Sequence, residues 1–301
     1  MSPTTEVTAR DRFTRLPNGT RVCYRLDGET GGAPVLLIGG LGEDLSVWSQ
    51  HFVGTLVSHG FLVIRMDNRD CGRSTYGSNP PPGVLRQVFA RPRHDAYTLA
   101  DLAQDSVLLL RHLGVGPTHL VGRSMGGMIA QSIAAGFPGE VRSLVSIYST
   151  TGDRGVGQPA VSTKALLVGP PPRTRTQAVR AHLRLTAHLA GTRYPADEAA
   201  EAVHAVVSWD RTAGDGAAGV ARQIQAIQAS GDRTAQLGAV TAPTLVVHGD
   251  RDLMVDPSGG HATAVAIAGA RLLVVPGMGH HLPDSLADSV VTEIAAHIAT
   301  T

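Results

Sequence analysis

Short continuous apolar runs alternate with helically spaced ones over most of the chain. Residues 34–38 form a continuous apolar run, 61–66 one broken only by Arg65, and His119-Leu120-Val121 and 141–148 read as further strands. Continuous apolarity is the pattern of strands buried on both faces of a parallel sheet. Between them, 47–59 carries Trp48, Phe52, Leu56 and Val57 on one side, and 99–113 carries Leu102, Leu109, Leu110 and Leu113 near helical spacing. Both are predicted helices. Ahead of the first run, alternating segments at 10–16 and 21–26 flank Pro17-Asn18-Gly19. That turn sequence predicts an antiparallel hairpin, with residues 1–9 as a frayed tail. Residues 77–97, with Pro80-Pro81-Pro82-Gly83 and Arg91-Pro92-Arg93-His94, read as a surface excursion. The β-α-β-α order predicts an α/β fold with a doubly wound, mostly parallel sheet.

The pattern changes from about Thr151 to Gly238, where strands vanish. Segments 173–191, 195–209 and 217–230 have helical periodicity, for example Val220, Ile224 and Ile227, with Gly191 and Gly231 as stops. Residues 152–238 are therefore expected to form an inserted helical lid between core segments 1–151 and 239–301. Strand signals return at 243–248 and 271–275, with helices near 261–268 and 286–298.

Composition narrows the classes of function. At 301 residues, with 43% hydrophobic and 17% charged residues and a net charge of +1, the chain is an ordinary globule, long enough for one large α/β domain or one such domain with an inserted piece. No basic field favours nucleic acid, and no apolar run approaches membrane-spanning length. Residues 1–12 lack the apolar core of a signal peptide, so a cytoplasmic enzyme is expected. Cys23 and Cys71, each beside a predicted strand, read as buried reduced thiols.

Candidate chemistry centres on Gly122-Arg123-Ser124-Met125-Gly126, with a strand before it and an Ala/Ile/Met-rich helix after. A strand running straight into a helix makes a sharp turn, and the tip residue, Ser124, is pushed to positive φ with its side chain exposed. The helix N-terminus behind it favours an oxyanion. An ordinary turn with a serine N-cap is the bland alternative. An activated serine also needs a base and an orienting carboxylate, from loops at the same edge of the sheet. Two loops qualify: His248-Gly249-Asp250-Arg251-Asp252 and Gly277-Met278-Gly279-His280-His281. The glycine-rich 39–42 lacks a dinucleotide fingerprint and a P-loop lysine. His182, His188 and His204 lack metal-ligand pairing, so no cofactor or metal is expected.

With Asp67-Asn68-Arg69-Asp70-Cys71-Gly72-Arg73-Ser74 and Pro276-Gly277-Met278-Gly279-His280 added to the elbow, the chain resembles the α/β-hydrolase superfamily along nearly its whole length. Among its capped serine esterases it is most similar to the aclacinomycin methylesterase-like group. That resemblance implies Ser124 as nucleophile, Asp252 as orienting acid and His280 as base. Asp250 is left as a turn residue, and His281 either lines the pocket or only packs. It implies an oxyanion hole from Met125 N–H and a second donor in Gly39-Gly40-Leu41. Gly39 stands where the family commonly has His, so that donor falls to Gly40 or Leu41, with Leu41 preferred. Trp48 and Tyr148 are candidate pocket residues, although their size suits the core equally. Asp67–Ser74 reads as structural, with Arg69 and Asp70 tying the loop.

The expected activity is cofactor-free hydrolysis of a small, moderately apolar carboxylic ester through an acyl-enzyme. The expected partner is that small-molecule ester, with neither nucleic acid nor membrane, and a homo-oligomer is compatible with it. A proline iminopeptidase-type aminopeptidase and a non-catalytic small-ligand receptor are the competing readings on the same fold. An ammonium-binding site needs inward carboxylates. The 152–238 insertion holds ten Lys/Arg against seven Asp/Glu, and its one acidic cluster, Asp197, Glu198 and Glu201, reads as a solvated helix start.

Overall fold

The computed structural model describes residues 10–167 and 169–301. The segment 1–9, expected as a frayed tail, lies outside the described residues. In chain order come β1 (Arg12–Arg15), β2 (Arg21–Asp27), β3 (Ala33–Ile38), α1 (Gln50–Ser58), β4 (Phe61–Met66), α2 (Val84–Val88), α3 (Leu99–Leu113), β5 (Thr118–Arg123), α4 (Met125–Gly136) and β6 (Val141–Ile147). Then follow α5 (Val161–Leu167), α6 (Arg175–Leu189), α7 (Glu198–Arg211), α8 (Gly216–Ser230), α9 (Thr234–Leu237), β7 (Thr244–Gly249), α10 (Ser258–Ala266), β8 (Arg271–Val275) and α11 (Asp284–Ile298).

The eight strands form one sheet in the order β1-β2-β4-β3-β5-β6-β7-β8. The hairpin β1-β2 and the β2-β4 pair are antiparallel, and every pairing from β4 to β8 is parallel. The continuous apolar runs follow from this geometry, since alternate residues enter two different cores. Leu36, Ile38, Ile64, Met66 and Leu120 pack with Leu102, Leu109 and Ile129 of α3 and α4. Val35, Leu37, Val63, Val121 and Val145 pack with Phe52 and Leu56 of α1 and Val290 and Ile294 of α11. Burying a side chain of this kind contributes roughly 1.5–3 kcal/mol. A buried ion pair lies within the sheet: Arg65 of β4, fully buried, forks onto Asp27 of β2 at 2.9 and 2.8 Å. Such a pair leaves little desolvated charge uncompensated. Cys23 and Cys71 are both buried and free.

Helix limits follow local chemistry. Thr98 and Asp101 form a reciprocal capping box at the start of α3, and Gly114 ends it in the left-handed region at φ 66°. Five helices, α5 to α9, lie between β6 and β7 among the described residues. Periodicity had indicated three of them. The short α5 and α9 were missed, as was α2 within the 77–97 excursion, because four to seven residues hold too few turns to show a period. The α10 helix starts at Ser258, three residues ahead of its expected start at 261. Its first residues Ser258-Gly259-Gly260 have poor helix propensity, but Gly259 and Gly260 pack against Thr150 and His248, where any Cβ would collide.

The Asp67–Ser74 loop joins the core to the inserted helices. Arg211 at the end of α7 reaches Asp67 at 2.8 Å, Asp44 at 3.0 Å and Asp11 at 2.7 Å. Arg222 of α8 holds Asp70 at 2.6 Å, and Tyr97 donates to the same carboxylate at 2.9 Å. Arg69 forks onto Asp105 of α3 at 2.6 and 2.7 Å. The loop thus ties the fold as expected, and it carries the anchors of α7 and α8 as well.

Candidate active site

Ser124 sits in the tight β5–α4 turn at φ 53° and ψ −122°, a strained conformation for a residue with a side chain. Gly122 and Gly126 make the turn possible. A Cβ on Gly122 would run into Gly126 O, and one on Gly126 into Ile38 O. Ser149 Oγ donates to Ser124 O at 2.8 Å, and Ser124 N–H donates to Ile147 O at 2.9 Å, so the turn is pinned to β6 and the residues just past it.

His280 Nε2 lies 3.0 Å from Ser124 Oγ, and His280 Nδ1 lies 2.7 Å from Asp252 Oδ2. The loops after β7 and β8 deliver these two residues, and His280 N–H is fixed by Leu189 O at the end of α6 at 2.8 Å. Asp252 Oδ1 accepts from Met254 and Val255 N–H, both at 2.8 Å, while His248 Nε2 stands 3.4 Å from Oδ2. Burial alone would raise its pKa. The charge field of His280 and hydrogen bonds from His248 and His280 outweigh that and hold the carboxyl well below its usual range. Asp250 points elsewhere, accepting from Gly277 N–H at 2.6 Å and so joining the β7 and β8 loops. Ser124, Asp252 and His280 therefore converge, and Asp250 does not.

Of the two candidate donors in the 39–42 loop, Gly40 gives its N–H to Glu43 Oε2 at 2.7 Å. Among the described residues, neither Leu41 nor Met125 gives its N–H to another protein group. Asn68 Nδ2 donates to Gly39 O at 3.2 Å, and Gly42 N–H donates to Gln223 Oε1 of α8 at 2.8 Å.

The remaining sequence candidates, Trp48, Tyr148 and His281, lie near Arg123, His280 and Glu201. Tyr148, itself at φ 36°, packs its ring 4.4 Å from that of His280. Trp48 lies in the core with Phe52 at 5.1 Å. The Arg123 guanidinium stands 5.4 Å from the Tyr148 ring and 5.9 Å from the Trp48 ring. His281, its side chain 11% exposed, stands 3.4 Å from Glu201 Oε1. Burial lowers the His281 pKa to about 4 despite the acid beside it.

Glu201 departs from the solvated helix start expected of it. Asp197 does cap α7, accepting from Ala199 and Ala200 N–H. One turn on, Glu201 turns inward to His182 at 2.6 Å and His281 at 3.4 Å, and it also lines a cleft of about 470 Å³ between α6 and α7. First-turn acids suit the helix dipole whether they face solvent or protein, so sequence position could not separate the two. Glu43 and Arg123, an ion pair at 3.0 Å, were also missed. The signal was present: an arginine ending a strand buried on both faces needs an acid partner.

A strained serine at the C-terminal edge of a mostly parallel sheet, on a strand–turn–helix, defines the α/β-hydrolase class. The chain belongs to the alpha/beta hydrolase fold family, whose sequence profile matches residues 33–285. It is 31% identical over 259 residues to a Variovorax paradoxus protein provisionally named a carbamate hydrolase, covering 85% of this chain and 88% of the relative. It is 28% identical over 301 residues to a rhodomycin D methylesterase of Streptomyces peucetius, covering 90% and 92%. The latter match bears out the likeness to the anthracycline methylesterase group. The enol-lactonase of Burkholderia xenovorans superposes with a TM-score of 0.71 at 26% identity, covering 96% of this chain and all of that one. Among the described residues no helix is long and apolar enough to cross a membrane.

Proposed function

We propose that the protein is a serine carboxylic-ester hydrolase acting through an acyl-enzyme on a small, moderately apolar ester. Ser124 Oγ attacks the carbonyl carbon while His280 Nε2 takes its proton. Asp252 keeps the imidazole in the tautomer whose Nε2 accepts, and it stabilises the imidazolium that forms. Leu41 and Met125 N–H groups receive the oxyanion. The tetrahedral intermediate collapses, His280 returns the proton to the leaving alcohol, and water repeats the sequence to release the acid. No cofactor or metal is needed, and the helices of 152–238 act as a lid over the acyl and alcohol sites. The observation carrying this reading is the hydrogen-bonded line from Ser124 through His280 to Asp252, at 3.0 and 2.7 Å. The methylesterase, carbamate hydrolase and lactonase names among its relatives support attack on an activated carbonyl.

The aminopeptidase alternative needs free carboxylates for a substrate ammonium. Of the acids around the site, Glu43 is engaged by Arg123 and by Gly40 N–H, and Glu201 by His182. That favours neutral esters. The test is fluorophosphonate labelling mapped by mass spectrometry, followed by an aryl butyrate, a methyl ester and a proline arylamide at matched enzyme concentration. Labelling at Ser124 is expected, with kcat/KM for the aryl ester at least about 100-fold above the amide. Labelling at another serine, or faster amide turnover, overturns the proposal.

A further inference from the structure

The loop carrying Leu41 has no histidine of the usual kind to hold it, since Gly39 stands there. An ion pair between a partly exposed acid and a buried arginine touches it instead. Glu43 spends one carboxylate oxygen on Gly40 N–H at 2.7 Å and the other on Arg123 Nη2 at 3.0 Å. Arg123 is the residue before Ser124, and its guanidinium is buried against Trp48 and Tyr148. The carboxylate is close to the reacting centre. The point where a Gly40 Cβ would stand is 2.8 Å from Glu43 Oε2 and 3.2 Å from Ser124 Cβ. A bare negative charge there opposes a growing oxyanion, and a neutralised one does not.

Resting on the reading of Ser124 as nucleophile, we propose that Glu43 and Arg123 are the positioning pair of the oxyanion site. Glu43 draws Gly40 N–H out of the hole and sets the loop so that Leu41 N–H converges with Met125 N–H. Arg123 cancels the carboxylate's charge beside the developing oxyanion. Neither residue exchanges a proton or a bond with substrate. The pair couples the loop after β3 to the residue preceding the nucleophile, so the two halves of the oxyanion site move together.

The test is a double-mutant cycle on an aryl butyrate, read as kcat and KM separately, with fluorophosphonate labelling rates in parallel. Glu43→Gln keeps an acceptor for Gly40 N–H and removes the charge, and it should cost under about fivefold in kcat. Arg123→Met leaves the carboxylate uncompensated and should cost about 50-fold in kcat, with KM within about twofold, because the loss falls on the transition state. The double variant should then be faster than Arg123→Met by at least about fivefold, a rescue that loss of a structural prop does not produce. Glu43→Ala, at a partly exposed loop position, covers the case in which Arg123→Met does not fold. It should lose about tenfold in kcat, most of which Gln restores. Equal rates for Ala, Gln and wild type, losses carried by KM, or a double variant no faster than Arg123→Met overturn the proposal. Absence of Ser124 labelling in the wild type would instead overturn the functional reading beneath it.

Discussion

Replacing Arg211 by Met removes the anchor of α7 and gives the sharpest energetic test of how the inserted helices are held. The guanidinium is 4% exposed and contacts Asp11, Asp44 and Asp67 at 2.7, 3.0 and 2.8 Å. Asp11 keeps Arg25 at 2.6 Å and Arg73 at 2.8 Å, so its charge stays compensated. Asp44 and Asp67, 1% and 0% exposed, are left as neighbouring buried carboxylates. Breaking a buried pair from one side costs about 3–5 kcal/mol. At roughly 2 °C per kcal/mol for a chain of this length, Tm should fall by about 6–10 °C. The pH dependence has a definite sign. In the native protein burial works against ionisation of Asp44, while hydrogen bonds from Ser46 and the charge of Arg211 hold its pKa below the ordinary value. Its contribution to stability is therefore full above the unfolded pKa and lost as pH falls through the folded one. In the variant, burial acts without Arg211, and the folded-state pKa rises above the unfolded value. Folding then takes up protons on acidification, so the deficit relative to wild type is largest near neutrality and shrinks as pH falls toward about 5. Scanning calorimetry at several pH values measures this, and limited proteolysis should show earlier cleavage within 152–238. A Tm loss under about 2 °C, or a deficit that grows on acidification, refutes the argument.

Ser124→Ala should abolish fluorophosphonate labelling and lower kcat by roughly 10⁴–10⁶ with Tm little changed, which labelling and calorimetry check together. Asp252→Asn should lower kcat about 10⁴-fold, because one amide cannot accept from Met254 and Val255 N–H and also from His280 without misdirecting its NH₂. Asp250→Asn keeps an acceptor for Gly277 N–H and should cost under about threefold, so equal losses would place the orienting acid elsewhere. Because burial holds His281 neutral down to about pH 4, His281→Ala should shift KM severalfold and leave the kcat/KM pH profile unchanged above about pH 5. Gly126→Ala drives a methyl into Ile38 O and Gly39 O, and urea titration should show a loss of more than about 2 kcal/mol.

The sequence by itself determined the layered α/β architecture. Runs such as Val35-Leu36-Leu37-Ile38 have no polar face, and only a sheet covered on both sides buries every residue of such a run. It also marked the residues that converge at the candidate site. Glycines at 122 and 126 permit the tight turn that carries Ser124, and a parallel sheet gathers the loops after its strands at that same edge. What it left open concerned direction. Leu41 was preferred to Gly40 as a donor on the resemblance alone, and only the fold shows that Glu43 holds Gly40 N–H. Asp250 and Asp252 differ by one step along a loop, and only the fold shows one meeting Gly277 and the other His280. Glu201 reads as a surface acid in a first helical turn, yet packing of α7 against α6 brings it between His182 and His281. Apart from Gly40 and Glu43, these partners are far apart along the chain. Periodicity reports which face of an element is apolar. Which charge meets which across that face depends on how two elements dock, and that is set only when the whole core packs.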